Sequence, residues 1–212
     1  MKVFIVGGDR DLVNFLPDAE VTDNVKEAKV VIFGDGPIVS PSLYKEKKHP
    51  EVKLKCDINR DRADKAIYTK LKPDQIAIGI GRGACFLAVM NNAKLIQHTT
   101  KKGFDKASYM VHGHNKGKEF IFPAISNWTQ SINVKDCEEK DYQCYMYSKN
   151  VMEYFTDRET AQFMKKNGDP ELIKFCRAHQ PISFCIQYHP EWLPESFLSK
   201  ITKDLIYEYA NS

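Results

Sequence analysis

This sequence has no long hydrophobic run and no block of charge of one sign. Its first apolar stretch, residues 3–6, is four residues long before Gly7 and Gly8, too short for a signal-peptide core or a membrane span. The 31 basic and 28 acidic residues are spread along the chain and leave a net charge of +3. Without a basic patch, neither nucleic acid nor a membrane surface is an expected partner. We therefore expect a cytoplasmic protein.

The six cysteines contain no C-x-x-C pair, the spacing that commonly marks a zinc or redox site. Because no secretory signal is recognisable, we expect free thiols rather than disulfides. The chain also lacks internal repeats and a Pro/Ser/Gly-rich linker that would divide its 212 residues. The length fits one globular domain over residues 1–212. We predict no cofactor and no metal.

Short apolar runs and helical patterns alternate along the chain. Lys2–Val6 and Val30–Phe33 end at glycine-rich turns, as strands do that are covered on both faces of a parallel sheet. Residues 101–140 have only brief apolar runs, and we expect loops and short antiparallel strands there. The alternation predicts an α/β sandwich of three layers around a mostly parallel central sheet. Further strands are predicted at residues 75–80, 142–146, 172–176 and 184–188.

Two amphipathic helices are predicted. In residues 59–71, apolar side chains recur at helical spacing, and the charged residues between them are placed on the surface. The apolar set is Ala63, Ala66, Ile67 and Leu71, and the charged set is Arg60, Asp61, Arg62, Asp64 and Lys65. Pro194 is predicted to open the last helix. Its buried side is expected to consist of Phe197, Leu198, Ile201, Leu205 and Ile206.

The segment 77–90, AIGIGRGACFLAVM, has the pattern of a strand, a tight glycine turn and an apolar helix. Such a turn is a nucleophile elbow, which aims one residue into an active site. The segment resembles the elbow of class I glutamine amidotransferases, especially the γ-glutamyl-hydrolase-like branch, where it commonly reads G-I-C-R-G-A-Q. Five positions match, but Gly81 stands where the nucleophilic cysteine is expected and Cys85 stands where the glutamine is expected.

A second motif, CIQYHPEW at residues 185–192, resembles the H-P-E signature of the same family. Two residues apart on an extended segment point the same way, so Glu191 is expected to hold the His189 ring while its other nitrogen faces the elbow. H-x-E alone would more often be a surface strand end. The two motifs together, in the family's order, imply the flavodoxin-like fold of class I amidotransferases with catalytic His189 and Glu191.

A third segment, FGDGPIVSPSLY at residues 33–44, resembles the family's oxyanion loop, which often reads GG-x-D-V-x-P-x-L-Y. The resemblance implies that an amide near Gly36 and the amide of Arg82 stabilise the oxyanion, each contributing about 3 kcal/mol. Asp35 departs from the usual glycine, and Ile38 departs from the usual aspartate. For GDG alone, a plain turn is the alternative interpretation.

Two weaker matches are interpreted with their alternatives. Asn59-Arg60-Asp61 resembles an R-D stretch at this place in hydrolase-like members, and a solvated, capped helix start explains it equally well. The run 111–116, VHGHNK, falls where relatives carry a substrate-binding loop, but it matches that loop poorly. His112 and His114 are not expected to bind a metal, because no carboxylate or cysteine stands at ligand spacing.

Glycine has no side chain to attack an amide carbon, so glutaminase chemistry is not expected at Gly81. We predict a pseudoenzyme that binds a small amide or γ-glutamyl ligand, or a partner protein such as a synthetase. The alternative is an active amidotransferase or γ-glutamyl hydrolase. Its nucleophile would be Cys85, one helical turn or about 6 Å from Gly81, or Gly81 would replace the cysteine of an active parent.

A subunit role is also open, with residues 101–140 and the aromatic residues of 142–154 as a contact surface. Core packing explains those aromatic residues equally well. The chain also resembles short, single-domain family members found in bacteriophages. That resemblance implies the host cytoplasm as the location if a phage encodes it.

Overall fold

The computed structural model describes residues 1–50, 52–97, 99–101, 108–115, 117–125, 130–149 and 152–211. The strands in these ranges are β1 (Lys2–Val6), β2 (Glu20–Val21), β3 (Val30–Phe33), β4 (Ile76–Ile80), β5 (Lys94–Ile96), β6 (Thr99–Lys101), β7 (Ser108–Asn115), β8 (Lys118–Ile125), β9 (Ser131–Asn133), β10 (Tyr142–Ser148), β11 (Met152–Tyr154), β12 (Asp169–Phe175) and β13 (Ile182–Ile186). The α-helices are α1 (Ile58–Tyr68), α2 (Arg82–Met90), α3 (Arg158–Asn167) and α4 (Phe197–Ala210).

Nine of these strands form one central sheet in the order β2-β1-β3-β4-β13-β12-β10-β7-β8. From β2 to β13 the neighbours pair in parallel. From β13 to β8 every pairing is antiparallel. The sheet is therefore mixed, with a parallel half that carries the elbow and an antiparallel extension beyond β13.

Two hydrophobic cores lie on opposite faces of the sheet. On one face, α4 packs with Leu12, Phe15 and Leu16 against the strands. On the other face, α2 is buried almost completely, and Tyr68 of α1 packs beside it. This is the predicted three-layer α/β sandwich, and the predicted fold class is confirmed. None of the helices in the described ranges is long and apolar enough to cross a membrane.

The prediction for the exposed and buried faces of α1 was partly wrong. Ile67 and Leu71 pack against the core as expected. Asp61 and Asp64, placed on the surface from the sequence, are fully buried, whereas Ala63 and Ala66 are exposed. The helix turns its acidic side inward because both carboxylates bind Arg82 of the elbow, which offsets the loss of their hydration.

Residues 101–140 contain longer strands than predicted. β7 and β8 are eight residues each and form an antiparallel hairpin at the end of the sheet. Residues 102–107, 116 and 126–129 lie outside the described ranges. The hairpin is stable as part of the sheet because Phe120 and Phe122 pack against Phe197 at the start of α4.

The last helix begins at Phe197, three residues later than predicted, because Ser196 and not Pro194 provides its N-cap. The Ser196 side chain accepts a hydrogen bond from the Ser199 amide. Leu198 and Ile206 are buried as expected, whereas Ile201 and Leu205 are half-buried. Phe197 is 39% exposed and contacts Phe120 and Phe122 of β8.

The start of α2 lies directly against the end of β3. A Cβ atom on Gly83 would stand 1.9 Å from the carbonyl oxygen of Phe33, so only glycine fits at this contact. Because β3 is followed at once by Gly34 and Asp35, this close packing brings the loop after β3 to the elbow.

Candidate functional site

Gly81 occupies the sharp turn between β4 and α2. Its backbone angles, φ 57° and ψ −115°, lie in a region that side chains rarely adopt, as expected for an elbow. Its amide donates to the carbonyl of Ile186 at the end of β13, which ties the elbow to the H-P-E segment. A Cβ atom on Gly81 would lie 3.2 Å from Cε1 of His189. The turn therefore points residue 81 at the histidine.

His189 and Glu191 form the contact predicted from the sequence. Nδ1 of His189 lies 2.7 Å from Oε1 of Glu191, and both side chains are buried. The His189 amide donates to the carbonyl of Ile125 at the end of β8. Trp192 stacks on the imidazole with 3.8 Å between ring centroids and an interplanar angle of 7°. The carboxylate and the indole together fix the orientation of the histidine ring.

The amide that was predicted to stabilise an oxyanion donates its hydrogen bond to a carboxylate instead. The backbone N–H of Arg82 donates to Oδ1 of Asp35 over 3.1 Å. The same oxygen would lie 3.0 Å from a Cβ atom on Gly81. Sequence reasoning noted Asp35 as a departure from the family pattern but missed this contact. The available signal was the acidic residue itself, at a position where glycine is usual.

Gly36, the other predicted oxyanion residue, lies beside the Arg82 side chain. A Cβ atom on Gly36 would stand 3.6 Å from Cδ of Arg82, and the residue is exposed. The structure thus brings Gly36, Gly81 and Arg82 together at the elbow. The role of the Gly36 amide stays a prediction.

The Arg82 side chain points away from the cleft into a buried ion-pair network. Its guanidinium donates to both Asp61 and Asp64 of α1. Asp61 also accepts from the Ser40 amide at 2.9 Å, and Asp64 from Nε of Arg60 at 2.8 Å. The network joins α1, the elbow and the loop after β3, so it holds the elbow in place.

This network also decides between the two interpretations of Asn59-Arg60-Asp61. The helix start is capped, but by Asp57, whose side chain accepts from the Asn59 and Arg60 amides. Asp61 is not solvated, because it pairs with Arg82. The segment is therefore a support for the elbow.

Cys85 lies in α2 one turn after Gly81 and is buried. Its sulfur is 3.8 Å from Oε1 of Gln187 and 4.0 Å from the carbonyl oxygen of Gln130. Burial raises the pKa of the Cys85 thiol to about 12, although the nearby Arg82 charge acts in the opposite direction. The thiol is therefore protonated at neutral pH.

His112 and His114 do not form a pair. His112 stacks on Tyr147 of β10, and His114 lies 3.2 Å from the Glu119 carboxylate at the exposed end of the hairpin. Among the described residues, no group of three potential metal ligands is present. Residues 111–115 belong to β7 rather than to a substrate loop, because they pair with β8. Lys116 lies outside the described ranges.

The tyrosines proposed as a contact surface are only half-exposed. Tyr145 and Tyr154 pack against one core and Tyr142 against the other. Packing against the core thus accounts for these three side chains, as the second interpretation expected.

Comparison with known proteins gives similarity of fold and no match in sequence. No protein-family model matches the sequence, and no curated protein matches it in a sequence comparison. A protein from Thermoplasma acidophilum, provisionally assigned as a component of GMP synthase, matches with a TM-score of 0.58 and 11% identity, over 100% of this chain and 92% of that one. A glutamine amidotransferase from Thermotoga maritima matches with a TM-score of 0.49 and 14% identity, over 97% of this chain and 86% of that one.

The first of these matches and the sheet order define the class of fold. The chain has the flavodoxin-like fold of class I glutamine amidotransferases, as the elbow and H-P-E motifs predicted.

Proposed function

We propose that this protein is a class I glutamine amidotransferase-like pseudoenzyme that binds a small amide or γ-glutamyl ligand, or a partner protein. One observation carries the proposal: the elbow aims residue 81 at His189, and residue 81 is glycine. The family reaction needs a thiolate that attacks an amide carbon and a histidine that transfers the proton. The buried His189–Glu191 pair supplies the second group only.

The position of Asp35 supports the same conclusion. A tetrahedral intermediate places its negative oxygen against the amide that follows the nucleophile. Here the Arg82 amide already donates to a carboxylate. The chain therefore lacks the nucleophile, and one of the two predicted oxyanion donors is already bonded to Asp35.

The retained His189–Glu191 contact is what favours the second candidate, an active amidotransferase or γ-glutamyl hydrolase. A Cys85 nucleophile would need an ionised thiol near His189. Burial raises the pKa of that thiol to about 12, and its sulfur faces Gln187 and Gln130. In the other version of this candidate, Gly81 replaces the cysteine of an active parent. The contact between His189 and Glu191 is then expected to be the same in the parent.

Exposed apolar side chains in the segment that follows His189 support a bound partner or ligand. Trp192 is 45% exposed, Leu193 43% and Phe197 39%. Apolar surface next to a cleft commonly marks an interaction site. A partner synthetase, the cytoplasmic location and the phage type stay predictions from the sequence.

Turnover assays test the proposal. The unmodified chain is assayed for glutamine and γ-glutamyl amide hydrolysis beside Cys85→Ser and His189→Ala, and we expect no turnover above that of His189→Ala. Robust hydrolysis by the unmodified chain that disappears in His189→Ala would contradict the proposal. If Cys85→Ser also abolished that hydrolysis, Cys85 would be the nucleophile.

A further inference from the structure

The Asp35 carboxylate lies at the start of α2 although it comes from a different loop. Gly81, the N-cap residue of this nine-residue helix, has no side chain to cap it. Asp35 accepts a hydrogen bond from the first helical amide, that of Arg82, over 3.1 Å. Negative charge is favourable at a helix N-terminus because the backbone N–H groups and the helix dipole point toward it. The Asp35 carboxylate therefore provides the negative charge at the N-terminus of α2.

The same carboxylate borders the point of the cleft that faces His189. Its Oδ1 atom and His189 Cε1 would lie 3.0 Å and 3.2 Å, respectively, from a Cβ atom on Gly81. A Cβ atom at residue 81 would thus lie closer to the Asp35 carboxylate than an ordinary van der Waals contact. Asp35 itself is exposed, but a second negative charge at this distance is still unfavourable, because two like charges in direct contact repel even in water.

We propose that Asp35 sets the charge selectivity of the cleft, admitting uncharged and cationic groups at residue 81 and excluding anionic ones. The inference rests on the proposed function, since it takes residue 81 to be the point that meets a ligand. Its consequence is that Gly81→Cys alone does not restore catalysis. The thiolate and the tetrahedral oxyanion are both negative, and Asp35 opposes each of them.

Alkylation of a thiol introduced at residue 81 tests the charge preference without requiring catalysis. The rates of modification by iodoacetamide, which is neutral, and by iodoacetate, which is anionic, are compared in Gly81→Cys and in Gly81→Cys/Asp35→Asn. Peptide mapping by mass spectrometry separates the introduced thiol from the six native cysteines. Gly117→Cys is the matched control, because Gly117 also has a positive φ, 78°, but lies in open space. Asp74→Asn, at an exposed position, controls for the loss of one charge.

We expect Asp35→Asn to raise the iodoacetate-to-iodoacetamide rate ratio of the introduced thiol by about fivefold or more, since it removes the adjacent charge. Asp74→Asn leaves the ratio unchanged. A rate ratio that does not respond to Asp35→Asn would overturn the inference but not the proposed function. Resistance of the thiol in Gly81→Cys to both reagents, with Gly117→Cys reactive, would instead overturn the proposed function, because residue 81 would not face an open cleft.

A second variant leaves Gly81 in place in case its replacement prevents folding. Asp35→Cys puts a thiol where the carboxylate now accepts from Arg82. A helix N-terminus stabilises a thiolate, so we expect its iodoacetamide rate at pH 7 to exceed that of Gly117→Cys by about tenfold. Equal rates in the two variants would show that this amide does not hold an anion and would overturn the inference.

Discussion

Asp169 shows how a single buried carboxylate can make stability depend on pH. It is fully buried in β12, where Ser131 donates to one oxygen and Tyr154 to the other. Burial raises the pKa of this carboxyl from 3.8 to about 6, although both hydroxyl groups act in the opposite direction. The folded state therefore binds a proton more tightly than the unfolded state does.

We expect Asp169→Asn to stabilise the protein increasingly as pH rises. A carboxyl with a raised folded pKa contributes stability below its unfolded pKa, and that contribution is lost as pH rises to about 6. Asparagine cannot ionise. The free energy of unfolding of Asp169→Asn relative to wild type should thus grow by roughly 1 to 3 kcal/mol between pH 4 and pH 7.5. Urea titrations at several pH values measure it, and a constant difference would contradict the assignment.

Some contacts between single residues of the candidate site can be predicted from the sequence, and others cannot. Gly81, His189 and Glu191 lie together as the two motifs predict, because a strand end and a tight turn fix where each side chain points. The Asp35–Arg82 contact joins residues 47 positions apart. It depends on the conformation of a glycine-flanked loop, which no local pattern encodes.

At the scale of elements, the Arg82 network fastens the elbow to α1. We expect Arg82→Met to destabilise the protein by about 3 to 5 kcal/mol, because it leaves Asp61 and Asp64 buried without their shared cation. Arg62→Met, at an exposed position of α1, should change stability by less than about 0.5 kcal/mol. Urea midpoints of both variants measure the difference.

The matched rescue for this prediction neutralises the acids. Adding Asp61→Asn and Asp64→Asn to Arg82→Met should recover part of the lost stability, since no buried carboxylate is then left without its cation, and Arg60, which loses Asp64 as its partner, is partly exposed to solvent. Equal stability of Arg82→Met and Arg62→Met would contradict the role of the network.

The failure to predict the buried face of α1 has the same cause. Helical periodicity assigns the inward face from apolar residues, and two of the four here, Ala63 and Ala66, are small alanines that contribute little when buried. The acidic face turns inward because a cation from another element meets it. A pattern within one helix contains no information about that partner.

Across the whole molecule, the sheet has a covered parallel half and an edge at β8. The Ile125 carbonyl points away from β7, since it accepts from His189. Successive residues of a strand alternate, so the amides of Glu119 and Ile121 also point away from β7, while those of Phe120 and Phe122 point toward it. The next outward position is Pro123, which has no N–H to offer another strand.

We therefore expect a graded pattern of amide hydrogen exchange. Amides of β3, β4 and β13, in the middle of the sheet, should exchange slowest. The Glu119 and Ile121 amides should exchange at least about a hundredfold faster than those of Phe120 and Phe122 in the same strand. NMR-detected exchange measures this, and equal protection along β8 would mean that another chain covers the edge.

The parallel half of the sheet could be predicted because its strands are continuous apolar runs that end at glycines. The antiparallel extension could be predicted only in part. Its strands β10 and β12 were expected from their apolar residues, but the length of β7 and β8 was not, because each contains only one brief apolar run, at residues 109–111 and 120–122. Their apolar face is completed by Phe197, more than 70 residues away in the sequence.

Because Trp192 stacks on His189, its fluorescence can report on the cleft. Indole emission responds to changes in the groups in contact with the ring, so the fluorescence of Trp192 follows changes around His189. The chain has only one other tryptophan, Trp128, and replacing it with phenylalanine leaves a single tryptophan, which can be excited apart from the ten tyrosines at the red edge of the absorption band. The rings lie 3.8 Å apart. An intrinsic probe, without a dye or a substrate, thus reports events at a site that is not expected to turn anything over.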